Sequence, residues 1–184
     1  MKTVGVLALQ GDFEAHRKAI EREGARAVEV RTPQDLAGCD GLIIPGGEST
    51  TMLKLLEIQK LEQPLRGFAE HKPVFGTCAG AILLASTVTH PQQASLGLLD
   101  IDVERNGYGR QIDSRIVTLE TAEGSTEAVF IRAPIIRRAG PEARVLAVYG
   151  KDPVWVEQGR HMVTTFHPEL SRGSPVHRRF LSRV

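Results

Sequence analysis

The chain has 184 residues, of which 41% are hydrophobic and 24% are charged, values typical of a soluble globular protein. Its net charge of +1 argues against a nucleic-acid or anionic-membrane partner, and its apolar runs are too short to span a bilayer. We therefore expect a single domain of residues 1–184 that needs neither kind of partner.

The number and spacing of cysteines and histidines indicate whether the protein binds a metal and in which cellular compartment it works. The two cysteines, Cys39 and Cys78, do not make a disulfide framework, so we expect a reducing cytoplasm in which Cys78 stays free. Neither cysteine has a second cysteine or a histidine at zinc-site spacing, and we predict no metal and no cofactor. The residues after Met1 look like the start of a strand and not like a signal peptide.

Strands and helices alternate through the first half of the chain. Nearly continuous apolar runs predict buried parallel strands, and Asp12 and Thr32 are suited to cap helices. Ser49 or Thr50 is expected to cap a third helix. The predicted strands are residues 3–9, 27–30, 41–44 and a short run from residue 74, and the predicted helices are residues 13–23, 64–71 and segments that begin near residues 33, 50 and 79.

Two loops at predicted strand ends suit a ligand. Gln10 follows the first strand, where open α/β sheets place ligands, although an ordinary polar turn residue is about as common there. The Gly46-Gly47 pair follows the third strand and offers backbone N–H groups to a phosphate or an oxyanion. It lacks the Gly-Lys-Ser/Thr ending of a P-loop, and a plain tight turn is the alternative.

The segment Gly76-Thr77-Cys78-Ala79-Gly80 joins a short apolar strand to a buried helix. It matches the thiol form of the nucleophile elbow, a sharp turn that lifts one side chain out of the backbone. The helix N-terminus favours thiolate over thiol, and the Ala79 N–H can donate to an oxyanion. A buried structural cysteine is the alternative, but the flanking glycines favour a nucleophile.

The second half has short strand-like runs separated by turn residues, as in antiparallel hairpins. Together with the alternation before them, they predict an α/β fold: a flavodoxin-like open, mostly parallel sheet with helices on both faces and additional antiparallel strands in the C-terminal half. The runs are residues 96–104, 115–120, 128–131, 144–149, 154–157 and 162–166, followed by a helix over residues 175–182.

A cysteine nucleophile needs a base. His16 and His71 are predicted at solvent-facing helix positions. His167 differs, because it ends a predicted strand and precedes a proline, which favours an extended backbone. Residues two apart in an extended segment point the same way. Glu169 is therefore predicted to hold one ring nitrogen of His167 while the other faces Cys78.

Three of these segments together resemble the class I (triad) glutamine amidotransferases: Pro45-Gly46-Gly47, the cysteine elbow and His167-Pro168-Glu169. Within that superfamily, the chain resembles the glutaminase subunits of pyridoxal 5′-phosphate synthase over nearly its whole length. The segments around Arg105 and Arg132 are specific to this subfamily. The matching segments are residues 5–11, 45–51, 75–80, 103–106 with 109–111, 130–134 and 166–170.

The resemblance implies a reaction and roles for the residues. Cys78 attacks the side-chain amide of L-glutamine, His167 transfers the protons and Glu169 orients His167. The N–H groups of Gly47 and Ala79 form the oxyanion hole. The residues implied to hold L-glutamine are Gly47, Glu48, Ser49, Arg105, Ile131 and Arg132.

The resemblance also implies a partner. The ammonia passes through a channel to a separate (β/α)8-barrel synthase subunit, which builds pyridoxal 5′-phosphate within a large hetero-oligomer. The region of Gln10 contributes to that interface, and the glutaminase is weak until its partner docks.

Other interpretations remain open. Relatives of this fold that are not amidotransferases include stress proteins and peptidases that act without a partner, but those often have a histidine where this chain has Ala79. A docking subunit with an idle triad is disfavoured, because all three triad positions are intact. A glutaminase of another pathway, such as histidine or purine synthesis, is disfavoured by the segments around Arg105 and Arg132.

Overall fold

The structure is a computed structural model, and it describes residues 1–107 and 114–184. The segment of residues 109–111, which contributes to the resemblance, lies outside the described residues. The strands are β1 (Thr3–Leu7), β2 (Arg26–Val30), β3 (Gly41–Ile44), β4 (Val74–Thr77), β5 (Ala85–Thr89), β6 (Leu99–Glu104), β7 (Arg115–Thr121), β8 (Gly124–Phe130), β9 (Ile135–Ala139), β10 (Arg144–Tyr149), β11 (Asp152–Gln158) and β12 (His161–Thr164). The helices are α1 (Phe13–Arg22), α2 (Pro33–Ala37), α3 (Ser49–Ile58), α4 (Glu62–His71), α5 (Ala79–Leu84) and α6 (Pro175–Leu181).

Within the described residues, the largest sheet has seven strands in the order β10-β11-β12-β4-β3-β1-β2. The five neighbours β2, β1, β3, β4 and β12 are parallel to one another. At one end of the sheet, β11 is antiparallel to β12, and the edge strand β10 is antiparallel to β11. The parallel strands follow the flavodoxin-like order, in which the first strand lies between the second and the third. The predicted fold class is confirmed.

Helices cover both faces of this sheet, because successive residues of a buried strand point to opposite sides. In β3, Leu42 and Ile44 pack with apolar residues of α2, α3, α4 and α5, whereas Ile43 packs with residues of α1 and α6. Each such side chain stabilises the fold by ~1.5–3 kcal/mol when fully buried. None of the helices in the described residues is long and apolar enough to cross a membrane.

Two helix caps follow the prediction and a third does not. The Asp12 side chain accepts a hydrogen bond from the backbone of α1, and the Thr32 side chain does so for α2. The helix α3 begins at Ser49 and is capped by Glu48, so the predicted cap at Ser49 or Thr50 was wrong. The longer Glu48 side chain folds back to reach the N–H groups of the first turn.

The strands after β4 depart from the predicted hairpins in three places. β12 pairs in parallel with β4, and β9 and β5 lie outside the predicted runs. The hairpin of β7 and β8 is antiparallel, as is the pair of β6 and β9. The strand β5, which was not predicted, pairs in parallel with β6. It follows α5 without a turn residue, and two of its residues, Ser86 and Thr87, are exposed. Neither an apolar run nor a turn signal therefore marks it in the sequence.

The parallel strands bring four sequence segments to one edge of the sheet. Gln10 follows β1, Gly46 follows β3, Cys78 follows β4 and His167 follows β12. These strands are adjacent and point the same way. In open α/β sheets the carboxyl edge of the strands is where ligands bind.

Candidate active site

The cysteine elbow has the backbone of a strained turn. Cys78 adopts φ 50° and ψ −106° between β4 and α5, and its N–H donates to the Thr164 carbonyl at 2.9 Å. A Cβ on Gly76 would clash with the Gly80 carbonyl, and one on Gly80 would clash with the Ile44 carbonyl. Both glycines are required because the start of α5 lies directly on the neighbouring backbone.

The Cys78 side chain is 7% exposed and lies between a carbonyl and an imidazole. Its sulfur is 3.8 Å from the Ile131 carbonyl oxygen. Gly46 lies against both His167 and Cys78, where a Cβ would clash with the ring. Burial alone would lower the pKa of His167, but hydrogen bonding to Cys78 and Glu169 outweighs it and raises the pKa to about 10. An imidazolium next to the sulfur favours the thiolate.

Glu169 holds the other side of the His167 ring. The distance between His167 Nδ1 and Glu169 Oε1 is 2.6 Å, and the glutamate side chain is 0% exposed. Burial would raise the pKa of Glu169, but His16 and His167 outweigh it and lower the pKa. The extended geometry predicted for this segment was wrong, because Pro168–Leu170 is a turn of 3-10 helix. The tight turn brings the two side chains together.

The loop after β3 is held by the turn after β1. The Glu48 N–H donates to the Gln10 side-chain oxygen at 2.8 Å. Gly47 has φ 156°, and a Cβ there would clash with the same oxygen. A Cβ on Gly11 would clash with the Gly46 carbonyl. The turn at Gln10 and Gly11 therefore packs directly on the Gly46-Gly47 loop.

Ala79 is the first residue of α5, so its N–H has no acceptor within that helix. It directly follows Cys78 and lies at the end of β4, whereas Gly47 lies in the loop after β3. Because β3 and β4 are paired, the two residues that were predicted to form an oxyanion hole lie at neighbouring strand ends.

Glu48 is strongly acidic. Its carboxylate accepts from the backbone N–H groups of Thr50 and Thr51, and from both their hydroxyls. The Thr50 hydroxyl is the main cause that lowers the pKa of Glu48 to about 2. Arg105 lies 3.2 Å from the same carboxylate, and its side chain is 15% exposed. The charged pair connects the end of β6 to the loop.

The remaining predicted glutamine-binding residues differ in their surroundings. Ser49 is buried, and its hydroxyl donates to the side-chain oxygen of Gln93 at 3.0 Å. Ile131 presents its carbonyl to Cys78. Arg132 is exposed and has φ 45°. The structure thus brings Ile131 to the nucleophile and buries Ser49 at the start of α3. The contact of Ser49 with Gln93 was not indicated by the sequence.

His16 lies beside Glu169 and His177 lies beside His16, and the prediction that His16 faces solvent was wrong. His16 is 0% exposed, and its Nε2 is 3.3 Å from Glu169 Oε2. The helical period gave a signal, because Ala19 and Ile20 are also buried. His177 is buried next to His16. In the described part of the chain, no three His, Cys, Asp or Glu side chains are placed to hold a metal ion.

Comparison with known proteins identifies the family. Residues 6–184 match the SNO glutamine amidotransferase family. The chain belongs to this family. The match includes the elbow, the Gly46-Gly47 loop and the His167–Glu169 turn, which are the segments that meet at the carboxyl edge of the sheet.

Individual relatives agree with this amidotransferase assignment. Pyridoxal 5′-phosphate synthase subunit PdxT of Solibacter usitatus is 58% identical over 192 aligned positions, covering 100% of both chains. A crystal structure of a glutamine amidotransferase is 48% identical with a TM-score of 0.92, covering 98% of this chain and 97% of the other. The structure of PurLQS from Thermotoga maritima has a TM-score of 0.70 at 18% identity, covering 99% and 96%. That likeness concerns the fold alone.

Proposed function

We propose that this amidotransferase is the glutaminase subunit of a pyridoxal 5′-phosphate synthase and acts as one domain of residues 1–184. It hydrolyses L-glutamine to L-glutamate and ammonia, and the ammonia passes to a (β/α)8-barrel synthase subunit in a large hetero-oligomer. The supporting observation is the contact series Cys78, His167 and Glu169 in a chain 58% identical, end to end, to a protein named as a subunit of that synthase.

The reaction begins with attack of the Cys78 sulfur on the amide carbon of glutamine. The pKa of His167 is raised, and an imidazolium beside the sulfur favours the thiolate that attacks. As the C–S bond forms, charge moves to the amide oxygen, where the N–H groups of Gly47 and Ala79 stabilise it. His167 then protonates the amide nitrogen, the C–N bond breaks, and ammonia departs. The glutamyl group remains on Cys78 as a thioester.

Hydrolysis of the thioester uses the same groups. Neutral His167 takes a proton from water as the water oxygen attacks the thioester carbon. The C–S bond then breaks, which releases glutamate and returns the thiolate. Since Nδ1 of His167 is hydrogen-bonded to Glu169, Nε2 is the nitrogen that exchanges protons at Cys78.

The charges near the loop suit an amino-acid substrate. Glu48 is anionic at neutral pH, and Arg105 is its cationic partner at 3.2 Å. Glutamine carries both an α-ammonium and an α-carboxylate, so each member of the pair can bind one of them. Ser49, Ile131 and Arg132 complete the proposed pocket.

Replacing Arg105 with alanine is expected to raise the KM for glutamine by about tenfold or more, because a hydrogen bond to a charged group is lost. The kcat of turnover should change little, since Arg105 contacts the end of the substrate that does not react. Arg138→Ala is the matched control, because Arg138 pairs with Asp100 and Asp102. An unchanged KM in Arg105→Ala and Arg132→Ala would contradict this pocket.

The isolated protein is expected to be a poor glutaminase that becomes active when the synthase subunit docks. The turn at Gln10 packs on the Gly46-Gly47 loop, so a partner contact at that turn acts on an oxyanion donor. One missing donor costs ~10²–10³ in rate. Titrating in the synthase subunit should raise kcat at least about tenfold, which requires ~1.4 kcal/mol of selective stabilisation.

A variant of the turn tests this route. Gln10→Ala removes the acceptor of the Glu48 N–H and should weaken the activation. Gln59→Ala should not, because Gln59 is exposed at the C-terminal end of α3, ~15 Å along that helix from the loop. Full activity of the isolated protein, with no response to the synthase subunit, would contradict the proposal and favour a hydrolase that acts without a partner.

A further inference from the structure

Glu169 has a second buried carboxylate oxygen that is not the one in contact with His167. Oε1 is the oxygen next to His167 Nδ1, whereas Oε2 lies 3.3 Å from Nε2 of His16. The side chains of His16 and Glu169 are both 0% exposed. Oε2 makes no hydrogen bond within the described residues, which is unfavourable for a buried carboxylate oxygen. The ring nitrogen of His16 at 3.3 Å is close enough to stabilise its charge.

His16 is held by two further buried groups. Its Nδ1 is 3.0 Å from Nε2 of His177, and its Nε2 is also 3.1 Å from the Thr77 hydroxyl. His177 is 2% exposed and Thr77 is 0% exposed. Because Thr77 directly precedes Cys78, these contacts join α1 and α6 to the elbow.

The positions of the hydrogens follow from these contacts. If Nε2 of His16 faced Glu169 with a lone pair, two acceptors would meet in a buried space. Nε2 therefore carries the hydrogen, and Nδ1 of His16 accepts from the Nε2–H of His177. His177 thus donates to His16, and the Nε2–H of His16 lies between the Thr77 hydroxyl at 3.1 Å and Glu169 Oε2 at 3.3 Å.

Both histidines are neutral at neutral pH. Burial is the main cause that lowers the pKa of His16, with His167 acting in the same direction and Glu169 and Asp12 in the opposite one. Burial also lowers the pKa of His177 to about 3, with His16 and Arg22 adding to the effect and Glu169 opposing it. His16 thus acts as a neutral donor and not as a second cation next to Glu169.

We propose that His16 is a positioning residue for glutamine hydrolysis and that His177 selects its tautomer, an inference that rests on the proposed function. With its N–H 3.3 Å from Oε2, His16 keeps the Glu169 carboxylate ionised and oriented towards His167. The imidazolium of His167 is then retained beside Cys78, which favours the thiolate as the nucleophile. His16 acts through Glu169 and not on the sulfur.

Two substitutions of His16 separate this role from packing. His16→Leu fills a similar volume but removes the donor. His16→Gln keeps an N–H for Glu169 and an acceptor for His177. His161→Gln is the matched control, because His161 is partly buried and accepts from the Val74 N–H at 3.2 Å but is not a member of this cluster.

The first readout is turnover in the complex with the synthase subunit. His16→Leu should lower kcat about tenfold or more, the effect of a lost hydrogen bond to a charged group. The KM for glutamine should stay within about twofold, because His16 does not contact the substrate. His16→Gln should recover most of the loss, and His161→Gln should match the parent protein.

The second readout needs no glutamine. It is the pH dependence of Cys78 alkylation by iodoacetamide, measured in a Cys39→Ser background. In His16→Leu the midpoint of this profile should move upward by about one pH unit. The reason is that a less ionised Glu169 weakens the imidazolium that stabilises the thiolate.

The outcomes separate three cases. Parental kcat in His16→Leu overturns the proposal, and so do equal losses in His16→Leu and His16→Gln with an unchanged alkylation profile. If circular dichroism shows that His16→Leu does not fold, His177→Leu decides: an upward shift of its profile supports the proposal, and an unchanged profile overturns it. Failure of the parent complex to hydrolyse glutamine refutes the proposed function instead, while the alkylation profile still tests His16.

Discussion

Replacing Cys78 with alanine is expected to lower glutamine hydrolysis by ~10⁶-fold or more, the effect of removing the nucleophile of a catalytic triad. The fold should be unchanged, because alanine keeps the Cβ and the thiol contacts groups of the site, the Ile131 carbonyl at 3.8 Å and the His167 ring. The measurement is ammonia release by the complex with the synthase subunit, together with the thermal midpoint of the isolated variant.

Cys39→Ser is the matched control for this experiment. Cys39 is buried, and its thiol donates to the Asp35 carbonyl at 3.3 Å, a bond that a serine hydroxyl can keep. Activity should therefore persist in Cys39→Ser. The reverse result, an essential Cys39 and a dispensable Cys78, would place the chemistry at a different site.

Replacing His167 with asparagine is expected to be almost as severe, and Glu169→Gln less so. In a well-characterised serine triad, loss of the base costs ~10⁶ and loss of the orienting carboxylate ~10⁴ in kcat. The same order is expected here, because His167 makes both proton transfers and Glu169 acts only through Nδ1 of His167. The measurement is the kcat of each variant in complex with the synthase subunit.

The pH dependence of kcat provides a further test, because the direction of its shift in Glu169→Gln is predicted. Burial lowers the pKa of His167, and Cys78 and Glu169 raise it. In Glu169→Gln one of the two raising contacts is lost, so the pKa of His167 should fall, and the basic limb of the kcat profile should move to lower pH. Equal losses in His167→Asn and Glu169→Gln, or a glutamine complex in which His167 points away from Cys78, would contradict these roles.

The sequence was most informative where structure depends on neighbouring residues. The elbow needs glycines on both sides of Cys78 because backbone atoms approach there, and that requirement is visible as a local pattern. The pairing of His167 and Glu169 was also predicted, but through an extended backbone that the structure replaces with a 3-10 turn. A spacing of two residues allows the contact in both geometries, so the sequence did not distinguish them.

The sequence was least informative about contacts between residues that are far apart along the chain. His16 lies far along the chain from Glu169, and only the packing of α1 against the turn after β12 brings them together. The contact of Ser49 with Gln93 depends on a loop path that has no local pattern. The cap of α3 was misassigned because short hydroxyl side chains are the usual caps, whereas Glu48 reaches the same N–H groups from outside the helix.

The backbone at Cys78 also limits how far this protein can be made more heat-tolerant. A residue with a Cβ at φ 50° costs ~1–3 kcal/mol, within a total stability of ~5–15 kcal/mol. The cost arises from the Cβ and not from the sulfur, so only glycine at this position would remove it. Glycine would also remove the nucleophile. The strain in this turn therefore cannot be removed without losing the reaction. Thermal tolerance must be gained by substitutions at residues outside the elbow.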